Sequence, residues 1–170
     1  MSSSRTRRLL PAVIATGLLA ACGFQLRGQT QLPFETLYIP GVNSLVVELK
    51  RNLRATSGAR LVDAAADAQA VLGFTRETRE KVILSYNAQG RVQEYLLRYR
   101  VGFRVTDSAG AKVYLPTSEI VLTREMSYSD ALVLAKESEE ALLFRHMQAD
   151  MVQQILRRLV TARSVPVGVE

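Results

Sequence analysis

Cys22 has the best-defined chemistry available in this chain. It is the sole cysteine among 170 residues, and it sits between Leu19-Ala20-Ala21 and Gly23. A thiol can be alkylated or acylated, but a lone one cannot close an internal disulfide. With a single histidine, His146, the chain cannot assemble a Cys/His metal cage either. His146 falls inside a helix-periodic stretch beside Arg145 and Met147, where a packed or solvated residue is expected rather than a general base. No serine occupies a G-x-S-x-G elbow, no glycine loop cradles phosphate, and no H-x-x-x-H or paired-cysteine spacing occurs. Neither a catalytic constellation nor a metal site is expected. The chemistry on offer is that of a binding or scaffolding protein, not an enzyme.

What precedes Cys22 says what its thiol is for. Residues 1–8 are basic and carry no acid, and Leu9–Ala21 is a short, mainly apolar run containing Pro11. Spanning a bilayer takes about 20 apolar residues, so this run is too short to cross, but it suits the apolar core of a signal peptide. Small residues before a cut suit a signal peptidase, which takes an extended backbone with small side chains. Cysteine directly after Leu-Ala-Ala resembles the lipobox of bacterial lipoproteins. In that class the thiol receives a diacylglyceryl group, and the amine freed by cleavage is acylated. Residues 1–21 are thus expected to be the leader, and Cys22 the lipid attachment point. No cofactor is expected beyond these covalent N-acyl and S-diacylglycerol groups. Glycine rather than aspartate after the cysteine implies, by the same resemblance, an outer-membrane destination on the periplasmic side.

Charge adds little. The chain carries 22 basic and 16 acidic residues, and Arg5, Arg7 and Arg8 lie in the leader. From Cys22 onward 19 basic side chains face 16 acidic ones, a net of +3. That mild excess is compatible with anionic lipid or an acidic partner. No nucleic-acid partner is expected, because no RRM, zinc-finger or helix-turn-helix signature accompanies it. Apolar residues at 48% provide for one folded domain, expected over 35–162. It lies between an acylated tether (22–34) and a flexible tail (163–170).

Several elements can be placed by pattern. Thr36–Ile39 predicts a short strand stopped by Pro40-Gly41. A helix follows, capped by Asn43 or Ser44, with Leu45, Leu49 and Leu53 on one stripe and Gly58 as its stop. Leu61-Val62 predicts a short edge element, and 63–69 a connector. Val71–Tyr86 keeps Leu72, Phe74, Val82, Leu84 and Tyr86 on one parity, with Arg76, Thr78 and Glu80 between. Val92–Thr106 alternates most cleanly. Its apolar side is Tyr95, Leu97, Tyr99, Val101, Phe103 and Val105, and its polar side includes Arg98, Arg100 and Arg104. Lys112–Met126 is the third long strand, interrupted near Pro116 by an edge position or a bulge. A helix from about Asp130 to Val160 buries Ala141, Phe144, Met151, Val152, Ile155, Leu156 and Leu159. Glu137, Glu139 and Glu140 near its start are expected to be a solvated face favoured by the dipole. The order β-α-β-β-β-α predicts an α+β two-layer sandwich. Two helices would pack on one face of a four-stranded mixed sheet, leaving the Arg-bearing face polar or partner-covered.

Cys22-Gly23-Phe24-Gln25-Leu26-Arg27-Gly28 resembles the mature start of the LptE family of lipopolysaccharide-assembly lipoproteins. Gln93-Glu94-Tyr95 after a glycine turn, Leu134-Ala135-Lys136-Glu137, and Gln154-Ile155-Leu156-Arg157-Arg158-Leu159 extend the likeness over most of 22–160. The resemblance implies a lipoprotein that plugs an LptD-like outer-membrane β-barrel and binds lipopolysaccharide. By family match Lys136 is the first candidate for a lipid A phosphate, an anion that basic side chains hold by charge-assisted hydrogen bonds. The family also has a basic residue near the tip of the first hairpin. Here Tyr86, Asn87 and Ala88 are not basic, and Arg91, just after the turn, is the residue able to take its place. Lys81, Arg98 and Arg100 are further candidates, with Arg98 and Arg100 on the face expected to meet the wet barrel lumen. A second class fits a lipobox on a small α/β domain: the periplasmic auxiliary lipoprotein of a lipid-transport ABC system. Fold cannot separate the two; the partner can.

Overall fold

The computed structural model describes residues 31–163 and the backbone of Val165–Pro166. The leader, Cys22 and most of the tether lie outside those residues. The elements run β1 (Thr36–Tyr38), α1 (Ser44–Thr56), β2 (Arg60–Val62), β3 (Ala70–Tyr86), β4 (Val92–Thr106), β5 (Lys112–Ser127), α2 (Val133–Val160) and β6 (Val165–Pro166). Single 3-10 turns, Ala65–Asp67 and Asp130–Leu132, precede β3 and α2.

The sheet has six strands, in the order β2-β1-β3-β4-β5-β6, rather than the four expected. It is mixed: β1 pairs in parallel with both β2 and β3, while β3, β4, β5 and β6 are antiparallel neighbours. The expected short edge element at Leu61-Val62 is β2, a full member of the sheet beside β1, and β6, at two residues, is too short for alternation to show. Pairing of Val165–Pro166 with Lys112–Val113 also ties down part of the segment expected to be a loose tail.

The helices form as their stripes dictate. Asn43 caps α1, its side chain accepting from the Val46 N–H at 2.9 Å. The helix ends at Thr56, two residues before the expected glycine: the Ser57 N–H and hydroxyl both donate to the Leu53 carbonyl, at 2.9 and 2.8 Å. Leu45, Leu49 and Leu53 of α1 and Met147, Met151, Val152, Ile155 and Leu159 of α2 are buried in one core. Against them the sheet presents Leu37, Leu72, Leu97, Tyr99, Val101, Phe103 and Val105. Burying a side chain of this size contributes about 1.5–3 kcal/mol, so this single layer accounts for the two-layer architecture. On α2 the buried face begins later than expected: Ala141 is exposed, and Met147 takes the central place.

The parity of β3 departs from the expected pattern. Phe74 pairs with Phe103, but the next pair is Arg76 with Gly102, so Thr75 is an extra residue, a β-bulge. One added residue moves the side chains that follow, up to the next irregularity at Ile83/Ser85, to the opposite face. Glu77, Arg79 and Lys81 therefore join the helix side, opposite Val101, Tyr99 and Leu97. Val82 goes to the outer face and stays 39% exposed. A further bulge, around Pro116-Thr117 in β5, matches the expected interruption.

Gly102 lies across from the β3 bulge, and a β-carbon there would stand 2.6 Å from the Thr75 hydroxyl. Gly102→Val is expected to destabilise the fold by about 1–3 kcal/mol through overpacking. Thermal denaturation checks this, and Thr75→Ala in the same background should restore part of the loss. An unchanged melting temperature for Gly102→Val would show that the bulge yields without cost.

Candidate functional site

The first hairpin owes its shape to Asn87. Its side-chain oxygen accepts from the N–H groups of Gln89 and Arg91, at 3.0 and 2.9 Å. Gly90 supplies the positive φ of 76° that closes the turn. Arg91 is thereby fixed at the tip, 3.9 Å from the Asp130 carboxylate, with both side chains largely exposed.

Behind the tip, β4 and the segment after β5 bring two tyrosines together. Tyr95 and Tyr128 stack edge to face with centroids 5.1 Å apart, and the Tyr128 N–H donates to the Gln93 carbonyl. The Lys81 ammonium lies 4.4 Å from the Tyr95 ring centre and 5.9 Å from that of Tyr128. It also donates to Glu140 of α2 at 2.6 Å. That hydrogen bond, opposed by partial burial, holds the Lys81 pKa above the usual lysine value. Lys136, in the first turn of α2, donates to the Ser127 hydroxyl at 3.0 Å and to Glu139 at 2.8 Å.

The structure thus gathers Lys81, Arg91 and Lys136 at one end of the molecule, where the hairpin tip meets the start of α2. The expected solvated glutamate run is in part something else. Glu139 and Glu140 are counter-ions of Lys136 and Lys81, while Glu137 remains exposed. Composition could not show this, because the Lys81–Glu140 pair joins residues 59 apart in sequence. Around these charges stand exposed apolar side chains: Ile83, Tyr86, Leu132, Val133 and, at 80% exposure, Leu134. Cations beside uncovered apolar surface suit a ligand that is both anionic and greasy.

Arg98 and Arg100 lie elsewhere. Both point away from the helices, on the outer sheet face, and each has a partner across the strands. Arg98 meets Glu80 and Arg100 meets Glu119, both at 3.2 Å. Around Arg98 and Arg100 the outer face is accordingly charge-paired rather than a plain basic patch. His146 is exposed on α2.

On the helix side, the residues turned inward by the bulge are matched by the helices. The Tyr99 hydroxyl donates to Glu77 at 2.8 Å, and Asn43 donates to the same carboxylate at 2.6 Å. Arg79 lies over the Tyr99 ring and donates to Gln148 at 2.7 Å. Gln148 in turn donates to Glu48 of α1 and accepts from Ser44. Burial, reinforced by the bond to Glu77, pushes the Tyr99 phenol pKa upward and keeps it neutral. This network fastens the hairpin arm to both helices and so holds the site at its end.

Fold and site together define a small α+β domain that presents convergent cations and apolar side chains from a fastened hairpin. Among the described residues, no cluster of metal-ligating side chains occurs and no helix is long and apolar enough to cross a membrane. The family model described as "LptE: Lipopolysaccharide-assembly" matches residues 34–159, and the chain belongs to that family. Its role lies in lipopolysaccharide transport. A curated relative, the LPS-assembly lipoprotein LptE of Photorhabdus laumondii, is 27% identical over 164 residues, covering 92% of this chain and 88% of that protein. Lipoprotein B of Nitrosomonas europaea, solved by NMR, superposes with a TM-score of 0.69 at 42% identity, over 79% of this chain and 88% of that one. The crystal structure of a minor lipoprotein from Acinetobacter baumannii gives 0.64 at 27% identity, over 79% of this chain and 98% of that one.

Proposed function

We propose that this protein is a lipid-anchored, non-enzymatic component of the outer membrane. In this reading it plugs an LptD-like β-barrel, helps the barrel assemble, and binds lipopolysaccharide for insertion into the outer leaflet. The anchor is Cys22 carrying diacylglyceryl and N-acyl groups, after removal of residues 1–21. The observation that carries the binding part is the convergence of Lys81, Arg91 and Lys136 beside exposed Ile83, Tyr86 and Leu134. Lipid A pairs phosphates with acyl chains, and this surface pairs ammonium and guanidinium groups with uncovered hydrocarbon. The outer sheet face, with Arg98 and Arg100, is the surface assigned to the barrel, whose interior is polar.

Tagged, acylated protein purified from detergent-solubilised outer membranes is expected to bring down one large barrel protein in stoichiometric amount, together with lipopolysaccharide, as identified by mass spectrometry. Retention of an inner-membrane transporter complex instead would favour the auxiliary role in a lipid-transport ABC system and sink the plug. In the same experiment Arg98→Glu/Arg100→Glu should cut barrel recovery by about tenfold, since reversal puts like charges beside Glu80 and Glu119 as well as at the interface. Recovery equal to wild type would move the contact off that face.

A further inference from the structure

Every basic residue of the candidate site already has a carboxylate partner from one short stretch of chain. Arg91 faces Asp130 at 3.9 Å, Lys136 faces Glu139 at 2.8 Å, and Lys81 faces Glu140 at 2.6 Å. Asp130 lies in the 3-10 turn before α2, and the two glutamates lie in its first turns. We infer that Glu139 and Glu140 are affinity-setting residues: built-in counter-ions that an anionic ligand must displace, and that retake the lysines when it leaves. This rests on the reading that Lys81 and Lys136 hold the ligand.

The geometry favours displacement over a permanent lock. Glu139 is 43% exposed and Glu140 25%, so either carboxylate can swing into water and be solvated. The lysines are held by more than their glutamates. Lys136 has the Ser127 hydroxyl, and Lys81 has the faces of Tyr95 and Tyr128. Each ammonium therefore stays in place while its acid is exchanged for a phosphate oxygen. Glu140 also borders a shallow concavity with Lys81, Glu137, Ala141 and Phe144, which gives an incoming group a route to the lysine from the open side. A protein that hands its cargo onward gains from such competition, because affinity for ligand is reduced by whatever breaking the internal pairs takes.

Ion pairs with a partly exposed carboxylate of this kind are weak, so losing one should change binding by a few-fold and losing both by about tenfold. The experiment is equilibrium and stopped-flow binding of fluorescently labelled lipopolysaccharide to the acylated protein, with Glu139→Gln/Glu140→Gln beside wild type. Lys81→Met and Lys136→Met run in parallel, and circular dichroism and melting curves confirm that each variant is folded. The expected result is binding about tenfold tighter for the double glutamine variant, mainly through slower dissociation, with weaker binding for the methionine variants. Unchanged or weaker binding in a folded Glu139→Gln/Glu140→Gln protein, while the methionine variants lose affinity, would overturn the counter-ion role alone. Methionine variants that bind like wild type would overturn the lysine site itself, and this inference with it. Should the double glutamine variant unfold, the two single variants carry the test, each with an expected gain of about threefold.

Discussion

Cys22→Ala, exported on a leader cut by the general signal peptidase, is expected to lose membrane association almost completely. Flotation with phosphatidylcholine vesicles measures it: the wild-type protein rises with the lipid, and the variant stays in the load fraction. The argument is additive burial of hydrocarbon. Each buried methylene contributes about 0.8 kcal/mol, so one acyl chain binds only marginally, whereas the diacylglyceryl and N-acyl chains together anchor firmly. Among the described residues no helix is long and apolar enough to span a bilayer in their place. Neutral vesicles keep the basic site out of the measurement. Mass spectrometry of the N-terminal peptide should show the acyl mass on Cys22 of the wild type. A variant that floats like wild type would mean that another part of the chain anchors it, and the lipobox reading would fail.

The second large effect is on ligand binding. Lys81→Glu/Lys136→Glu is expected to weaken lipopolysaccharide binding by about a hundredfold. A hydrogen bond to a charged group contributes about 1.5–3 kcal/mol. Reversal removes two such donors and sets new carboxylates beside Glu140 and Glu139, the residues that the lysines now neutralise. Lys81→Met/Lys136→Met keeps most of the hydrocarbon over Tyr95 while deleting charge; because each lysine gives up a glutamate partner to bind, the net loss should be only about tenfold. Raising the ionic strength should weaken wild-type binding and leave the methionine variant less affected, as charge screening requires. Binding within twofold of wild type in a folded charge-reversed protein would place the phosphates somewhere else on the molecule.

Comparison of the three candidate cations with the two arginines shows how far residue type alone can reach. Lys136 and Arg91 are named by resemblance, and Lys81 only as a further candidate. Their meeting depends on the pairing of β3, β4 and β5 and on the seating of α2. Arg98 and Arg100 follow from alternation along β4, and they do lie on the face away from the helices. Alternation could not show that each is held by an acid on a neighbouring strand. The tyrosine pair was missed for a similar reason: Tyr95 sits in a clean strand, but Tyr128 lies just past the end of β5. A short Tyr128 segment carries no period of its own.

What the amino-acid order decides by itself is local. The basic leader, the short apolar run and Cys22 form a contiguous signal. The stripes of α1 and α2, the alternation of β4, and the turns at Asn87–Gly90 and Asp107–Gly110 each rest on residues within a few positions of one another. What only the tertiary structure decided involves pairings between distant segments. β1 lies between β2 and β3, and β6 returns to β5. Above all, Thr75 adds one residue to β3 opposite Gly102 and turns Glu77, Arg79 and Lys81 toward the helices. Phe74-Thr75-Arg76 looks like any other alternating triplet. The bulge exists only relative to a partner strand, so it is set by the pairing of β3 with β4 and by the helix residues that satisfy the charges it turns inward.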